Sequence, residues 1–382
     1  MSTRLPDPLF AALEARLHLA PLGTLKAGYQ ALSRDYRSRT VSEEQRDDLQ
    51  GDAAPLGGRL PGGYTRAQAR ALGYLAARFP ATYAAMAAAL RQVPDAALAG
   101  CESVLDVGAG PGTATWALRE RLPTLKTARL LESNGEMLGH AQALAEVYPG
   151  LKVTFHSGDL AEQLKLAAPA DILVMAYVLS ELDEAAQTDL LKAAWDKARK
   201  GIFLLEPGTP ETSRRVLAAR AQWVRMGGNL IAPCPQSGSC PMDPARPPKE
   251  ARKGGPRGGG EAPKDLPWCH FAVRLERRGL HKSVKGGDLG YEDEKFSWVY
   301  VSKDPGLPPA APFRLHSDPR RVNRNINLDV CDREGERRNL FYRRREASFS
   351  LRHAVRQLKW GDGWDPEGPH PQMDGGEEGP QD

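Results

Sequence analysis

Apolar positions recur at helical spacing through the first hundred residues. In "DPLFAALEARLHLA" and "YTRAQARALGYLAARFPATYAAMAAALRQV" they return every three to four residues, with Pro80 breaking the second run and the glycine-proline stretch "APLGGRLPGG" preceding it. That period predicts amphipathic helices. From Cys101 the pattern changes to short apolar runs, "SVLDVG", "TARLLES", "KVTFHSGD", "DILVMAYV" and "GIFLLEPG", separated by helical segments. Strands alternating with helices predict right-handed crossovers and a parallel sheet covered on both faces. The expected core is a doubly wound, Rossmann-like α/β domain.

After Pro207 the rhythm breaks. A helix is expected over "ETSRRVLAARAQWVRMGG", while "ARPPKEARKGGPRGGGEAPK" is too rich in Pro, Gly and charge to pack, so residues 245–264 read as a disordered insertion. Order is expected to resume at "LPWCHFAVRLERR", with strands at "KFSWVYVS" and "NINLDVC", and the acidic, glycine-rich tail from Gly361 reads as unstructured. The expected organisation is an N-terminal helical region (1–100), the core (101–230), a cysteine-containing region with the final core strands (231–360) and the tail (361–382).

With 382 residues, 41% of them hydrophobic, the chain can bury a sizeable core. No window approaches the roughly 18 apolar residues that a membrane helix needs, so the chain reads as soluble and cytoplasmic, with no membrane partner. Five thinly spread cysteines argue against a secreted disulfide framework and for reduced thiols available as ligands. Net charge is only +4, yet between Lys249 and Lys359 stand 25 Lys and Arg against 15 Asp and Glu, an excess of ten positive charges. Such an excess suits a polyanion or a solvated surface; Arg343, Arg344 and Arg345 are candidate contacts.

The segment "VLDVGAGPGTATWALRE" reads as strand, tight turn, helix, with Gly108, Gly110 and Gly112 letting the backbone turn and a ligand approach it. A dinucleotide fingerprint needs G-x-G-x-x-G/A, whereas Thr113 holds the third position here and the glycines follow Asp106 as G-x-G-x-G. This favours S-adenosylmethionine over NAD, because an acidic strand end suits the ammonium of the methionine moiety. Glu132, at the next strand end, is placed for ribose hydroxyls, and Asp159 for the adenine amino group, although an Asp after a strand equally often caps a helix. Tyr177 and Ser180 border the expected acceptor position, where core packing is the commoner use of such residues; Glu206 ends the fifth strand, where an active-site wall is expected, with a surface glutamate before Pro as the default reading. No Ser-His-Asp set, H-E-x-x-H motif or P-loop occurs, and no catalytic residue is assigned.

Cys234 and Cys240, in "APCPQSGSCP", are six positions apart, followed by Cys269 and Cys331; Cys101 stands apart and reads as a small core residue. Four thiolates match the ligand count of structural zinc or of an iron-sulfur cluster, with ordinary buried thiols as the other reading.

The run of "DVGAGPGTATWA", "YVLSEL", "EPGTP", "GGNLIAPCPQSGSCP", "WCHF" and "LDVC" over roughly residues 60 to 360 resembles the bacterial and mitochondrial small-ribosomal-subunit-associated methyltransferase-like proteins. The resemblance implies a class I methyltransferase fold that binds S-adenosylmethionine, association with small-subunit ribosomal RNA or the small ribosomal subunit, and a [4Fe-4S] cluster on Cys234, Cys240, Cys269 and Cys331, with zinc as the alternative metal. It leaves two functions in view, a ribosomal RNA methyltransferase and a non-catalytic assembly factor that binds cofactor and cluster, with a small-molecule methyltransferase a distant third.

Overall fold

The computed structural model describes residues 3–40, 60–243, 268–286, 289–323, 325–343, 345 and 348–368. The basic insertion expected over 245–264 lies outside the described residues, as does the tail beyond residue 368.

Helices α1 (Asp7–Leu17), α2 (Leu22–Thr40), α3 (Arg66–Ala77), α4 (Phe79–Leu90) and the short α5 (Asp95–Leu98) open the chain. Thr65 and Gln68 form a capping box at the start of α3. The helical run then breaks at Arg78, and Pro80 sits in the first turn of α4, where a missing N–H costs nothing.

Eight strands form the main sheet: β1 (Ser103–Val107), β2 (Thr127–Glu132), β3 (Lys152–Ser157), β4 (Ala170–Ala176), β5 (Ala198–Pro207), β6 (Asn229–Ala232), β7 (Phe271–Glu276) and β8 (Tyr291–Ser302). Their order is β3-β2-β1-β4-β5-β8-β6, with β7 also on β8. The first five are parallel, and β8 runs antiparallel to β5, β6 and β7. Reversal of strand order between β1 and β4 makes the carboxyl edge there a ligand crevice, as in Rossmann-like sheets. Helices α6 (Thr113–Arg121), α7 (Gly135–Ala145), α8 (Leu160–Leu166), α9 (Glu184–Lys197) and α10 (Pro210–Arg225) connect the strands, and α11 (Gly279–Lys285) precedes β8.

Successive strand residues enter opposite cores. Val104, Leu130, Ile172 and Phe203 pack with Leu75, Met86 and Trp116, while Leu105, Leu131, Leu173 and Leu204 pack with Leu190 and Trp223. A strand buried on both faces needs apolar side chains at nearly every position, hence the continuous runs in the sequence.

A second sheet follows, built from β9 (Phe313–Leu315), β10 (Arg320–Val322), β11 (Asn325–Asp332), β12 (Arg337–Tyr342) and β13 (Gly363–Trp364), with α12 (Phe349–Gln357) against it. Its core holds Leu315, Leu328, Val330, Val355 and Trp364. The reading of an unstructured tail from Gly361 is therefore corrected over 361–368. Trp364 is buried, its indole N–H donates to the Tyr342 hydroxyl at 2.7 Å, and β13 pairs with β9. One aromatic anchor outweighs the glycine-rich composition around it. Among the described residues no helix is long and apolar enough to cross a membrane.

Candidate functional site

The turn between β1 and α6 gives its three glycines different tasks. A Cβ on Gly108 would stand 2.5 Å from Val178 Cγ2, and one on Gly112 2.6 Å from the Trp116 ring, so both are packing requirements. At Gly110 nothing lies within 4 Å of the Cβ position, and φ is +54°. There the backbone faces open space, with room for a ligand.

Asp106, at the end of β1, is 1% exposed. Its Oδ2 accepts from Thr115 N (3.2 Å) and Oγ1 (2.7 Å), while Oδ1 is buried without a hydrogen-bond partner. Burial raises its pKa to about 7 against those two hydrogen bonds. An orphaned, desolvated carboxylate oxygen is costly unless a donor or cation meets it. Glu132, at the end of β2, accepts from Gly110 N at 2.7 Å and Asn134 N at 2.8 Å, so it closes over the same turn. Asp159 is brought to the neighbouring strand end but caps α8, accepting from Glu162 N at 3.0 Å, which is the use that competes with adenine recognition.

Beyond β4 the chain makes a constrained turn. Tyr177 holds φ +62°, a rare conformation for a residue with a side chain and a cost that the surroundings must hold in place. Its N–H donates to Leu205 O at 2.8 Å and its hydroxyl to Glu294 Oε1 at 2.8 Å. Glu294 also takes a bidentate ion pair from Arg78, at 2.8 and 3.1 Å. Burial, then the Glu294 charge, holds the Tyr177 phenol well above its ordinary pKa. Glu206 is not a surface residue: it is 0% exposed at the end of β5, and its Oε1 accepts from Val178 N (3.0 Å) and Leu179 N (2.8 Å). Burial raises it to about 7, against those backbone bonds. Two buried carboxylates thus fix the turn carrying Tyr177 and Ser180.

Next to this turn lies a cavity of about 450 Å³, lined by Ser180, Gly208 and Glu294 and, from the helices, by Tyr29, Arg78 and Lys285. Arg78 and Glu294 went unnoticed in the sequence. For Glu294 a signal existed: Glu292 and Glu294 share strand parity with buried Phe296, Trp298 and Tyr300, so a carboxylate on that face needs a partner.

The four candidate ligand cysteines come from separate segments. The half-buried Cys269 thiol lies within electrostatic reach of Cys240, Cys234 and Cys331; desolvation and then these neighbours hold its pKa well above the usual range. Burial pushes Cys240 up to about 12, with Cys234 the next cause, and raises Cys331. Cys101 is 0% exposed in the helix-covered core, apart from this group. Two buried arginines organise the thiols. Arg220 Nη2 donates to Gln236 O (3.0 Å) and Gly238 O (2.6 Å), holding the loop between Cys234 and Cys240. Arg314, 4% exposed, sits opposite Cys331 in the β9–β11 register and donates to Pro233 O (2.5 Å), Gly361 O (2.8 Å) and Gln92 Oε1. Burial lowers its pKa to about 10, and Cys234 is the first of the groups that oppose the shift. As they stand, no three His, Cys, Asp or Glu side chains among the described residues are grouped as a site for a metal ion. The expected metal-binding character of this region is thus not shown; the four thiols do lie within electrostatic reach of one another.

A family model described as mitochondrial small ribosomal subunit Rsm22 matches residues 68–252 and 256–365. No curated protein matches the sequence. Among solved structures, a putative RNA methyltransferase from Pyrococcus horikoshii aligns at 14% identity over 59% of this chain and 82% of its own, TM-score 0.35. Magnesium protoporphyrin IX methyltransferase from Synechocystis with bound S-adenosylmethionine aligns at 12% identity over 72% and 97%, TM-score 0.35. An O-methyltransferase family protein from Burkholderia thailandensis aligns at 14% identity over 55% and 67%, TM-score 0.38. With scores below 0.5, the Rossmann-like class I fold rests on the strand order itself.

Proposed function

Since the chain belongs to the mitochondrial small ribosomal subunit Rsm22 family, we propose that it is an S-adenosylmethionine-binding, methyltransferase-like protein acting on small-subunit ribosomal RNA or on the assembling small subunit. The observation that carries the cofactor assignment is the buried, unpartnered Oδ1 of Asp106 beside the open backbone of Gly110. These groups fit a ligand that brings an ammonium to the strand edge. Asp106 would take the ammonium, Glu132 the ribose hydroxyls and Asp159 the adenine amino group, while Tyr177 borders the reacting end. S-adenosylmethionine supplies an electrophilic methyl group when bound. The protein's part is then to hold an acceptor in line and exclude water, for which the cavity beside Ser180 and Glu294 offers the space.

Cys234, Cys240, Cys269 and Cys331 would hold a [4Fe-4S] cluster, with zinc as the alternative. The donor set fits. The four thiols lie within electrostatic reach of one another, near the buried Arg314 guanidinium, whose hydrogen-bond partners are neutral oxygens and which feels the Asp362 carboxylate as well as the thiols; an anionic centre there would stabilise that cation further. Thiols that repel one another when ionised are also the ones whose deprotonation a metal drives.

A non-catalytic assembly factor is the second reading, and one observation favours it. Glu294, the buried carboxylate that lines the cavity, is engaged by Arg78 and Tyr177 and so is not poised as a general base. The family description names a mitochondrial subunit, and the compartment proposed here is that of the ribosome served. Mapping ribosomal RNA methylation and small-subunit assembly with and without the protein tests the function. Loss of a methylated nucleotide supports the enzyme, stalled assembly with intact methylation supports the factor, and no change in either refutes both.

A further inference from the structure

The second sheet has two unlike faces. Ile326, Leu328 and Val330 of β11 point into its core beneath α12, so Asn325, Asn327, Asp329 and Cys331 occupy the opposite face. At one end this face carries Cys331 and the buried Arg314. At the other end it is open to solvent. Cross-strand register there aligns Arg320 of β10, Asn327 of β11 and Phe341 of β12 in one row, with Val322 opposite Asn325 in the next. Phe341 is 48% and Val322 52% exposed. The Arg320 side chain is 63% exposed, and the Arg343 guanidinium stands 5.8 Å from the Phe341 ring centroid. Asp329 is the carboxylate among them, and it is engaged by Arg320 at 3.0 Å and by Asn339 at 2.8 Å.

We propose that this open face is a platform for single-stranded RNA, with Phe341 as the stacking surface for a base, the Asn327 and Asn339 amides facing base edges, and Arg320 and Arg343 meeting phosphates. It rests on the reading of the chain as a ribosomal RNA partner and names where that RNA lies. Three features select this occupant. Adjacent strands are about 4.8 Å apart, so cation, amide and ring fall within about 10 Å, the scale of one nucleotide. An exposed ring on a sheet face beside guanidinium groups is how sheet-based modules hold unpaired bases. Finally, residues 313–364 hold 13 Lys and Arg against 7 Asp and Glu, a balance that suits phosphates, while Phe341 and Val322 alone make a small apolar patch for a protein partner.

The test is fluorescence anisotropy of a labelled, mixed-sequence 12-nucleotide single-stranded RNA titrated with the full chain at several salt concentrations. Phe341→Ala is expected to weaken binding about tenfold or more with an unchanged salt slope, and Phe341→Trp to retain it. Arg320→Gln is expected to lower the slope of log affinity against log salt by about 0.7. A 2-aminopurine in the RNA should be quenched by the wild type and not by Phe341→Ala. If the wild type binds the RNA and both Phe341→Ala and Arg320→Gln bind within twofold of it, the platform is refuted while the RNA reading stands. If the wild type does not bind, both fall. A photo-crosslinker at position 341 that reacts with a small-subunit protein and not with RNA would likewise overturn the platform.

Discussion

Glu294→Gln probes the polar junction that holds the turn after β4. The carboxylate is nearly buried, with 11% of its side chain exposed, and it receives three hydrogen bonds: two from Arg78 and one from the Tyr177 hydroxyl. A glutamine oxygen in place of Oε1 can still accept from Arg78 Nη2 and Tyr177. Its amide then directs N–H groups at Arg78 Nη1, where Oε2 now accepts at 3.1 Å. Removing one partner of a buried pair costs about 3–5 kcal/mol. The Arg78 side chain is 20% exposed, and partial hydration lowers that figure to about 2–3 kcal/mol. Thermal denaturation of the apo chain should show a fall of roughly 4–12 °C, using about 2–4 °C per kcal/mol for a large domain. The paired change Arg78→Met with Glu294→Leu should recover much of this loss, because both desolvated charges are then gone. A melting temperature for Glu294→Gln within 1 °C of wild type would refute the reasoning, since it would mean that the pair is hydrated.

The pH response should follow from the two raised carboxylates. Asp106 and Glu206 titrate near 7 in the folded chain, above their unfolded values, so the native state holds extra protons between about pH 4 and 7; apo stability should decline as pH rises through that window, and Asp106→Asn should flatten the decline in thermal melts. Because an ammonium prefers the carboxylate form, affinity for S-adenosylmethionine should rise from pH 5.5 to 7 in the wild type and stay flat in Asp106→Asn, measured by calorimetry. Anaerobically purified protein should carry about four irons per chain with broad absorption near 400 nm, and Cys331→Ser should lose both iron and thermal stability while Cys101→Ser stays nearly silent; colourless protein with stoichiometric zinc would replace the cluster. Arg314→Met should keep the four sulfurs but make the reduction potential more negative, by protein-film voltammetry, since a buried positive charge beside the centre favours the reduced, more negative state.

Much of this architecture is legible along the chain. Apolar runs fall on β1, β4 and β5 because a strand buried on both faces cannot hide polar positions, whereas the edge strand β3 is only partly buried; the glycine turn is visible because Gly108 and Gly112 have no room for a Cβ. The electrostatic proximity of Cys234, Cys240, Cys269 and Cys331 has no periodic signal; a resemblance to known proteins suggested that they belong together, and Cys331 lies on β11 opposite Arg314 of β9. Glu206 was misjudged for a physical reason. A glutamate before proline at a strand end is ordinarily solvated, but here the strand edge is roofed and the carboxylate satisfies two amides of the neighbouring turn. Arg78, Arg220 and Arg314 are equally silent in sequence, because a buried arginine is specified by the carbonyls and carboxylates that surround it, and those come from remote segments. Trp364 shows the converse, since local composition argued for disorder and one long-range contact overrode it.

Calorimetric titration of S-adenosylmethionine into the full chain at pH 7.5 tests the cofactor assignment most directly, with Gly110→Asn as the control. Asparagine tolerates the left-handed backbone at φ +54° and places its side chain in the open space beside the turn. One site per chain in the wild type, lost in Gly110→Asn at an unchanged melting temperature, is the predicted result. Absence of binding by the wild type, or equal binding by the variant, would contradict the assignment of this turn as the cofactor site.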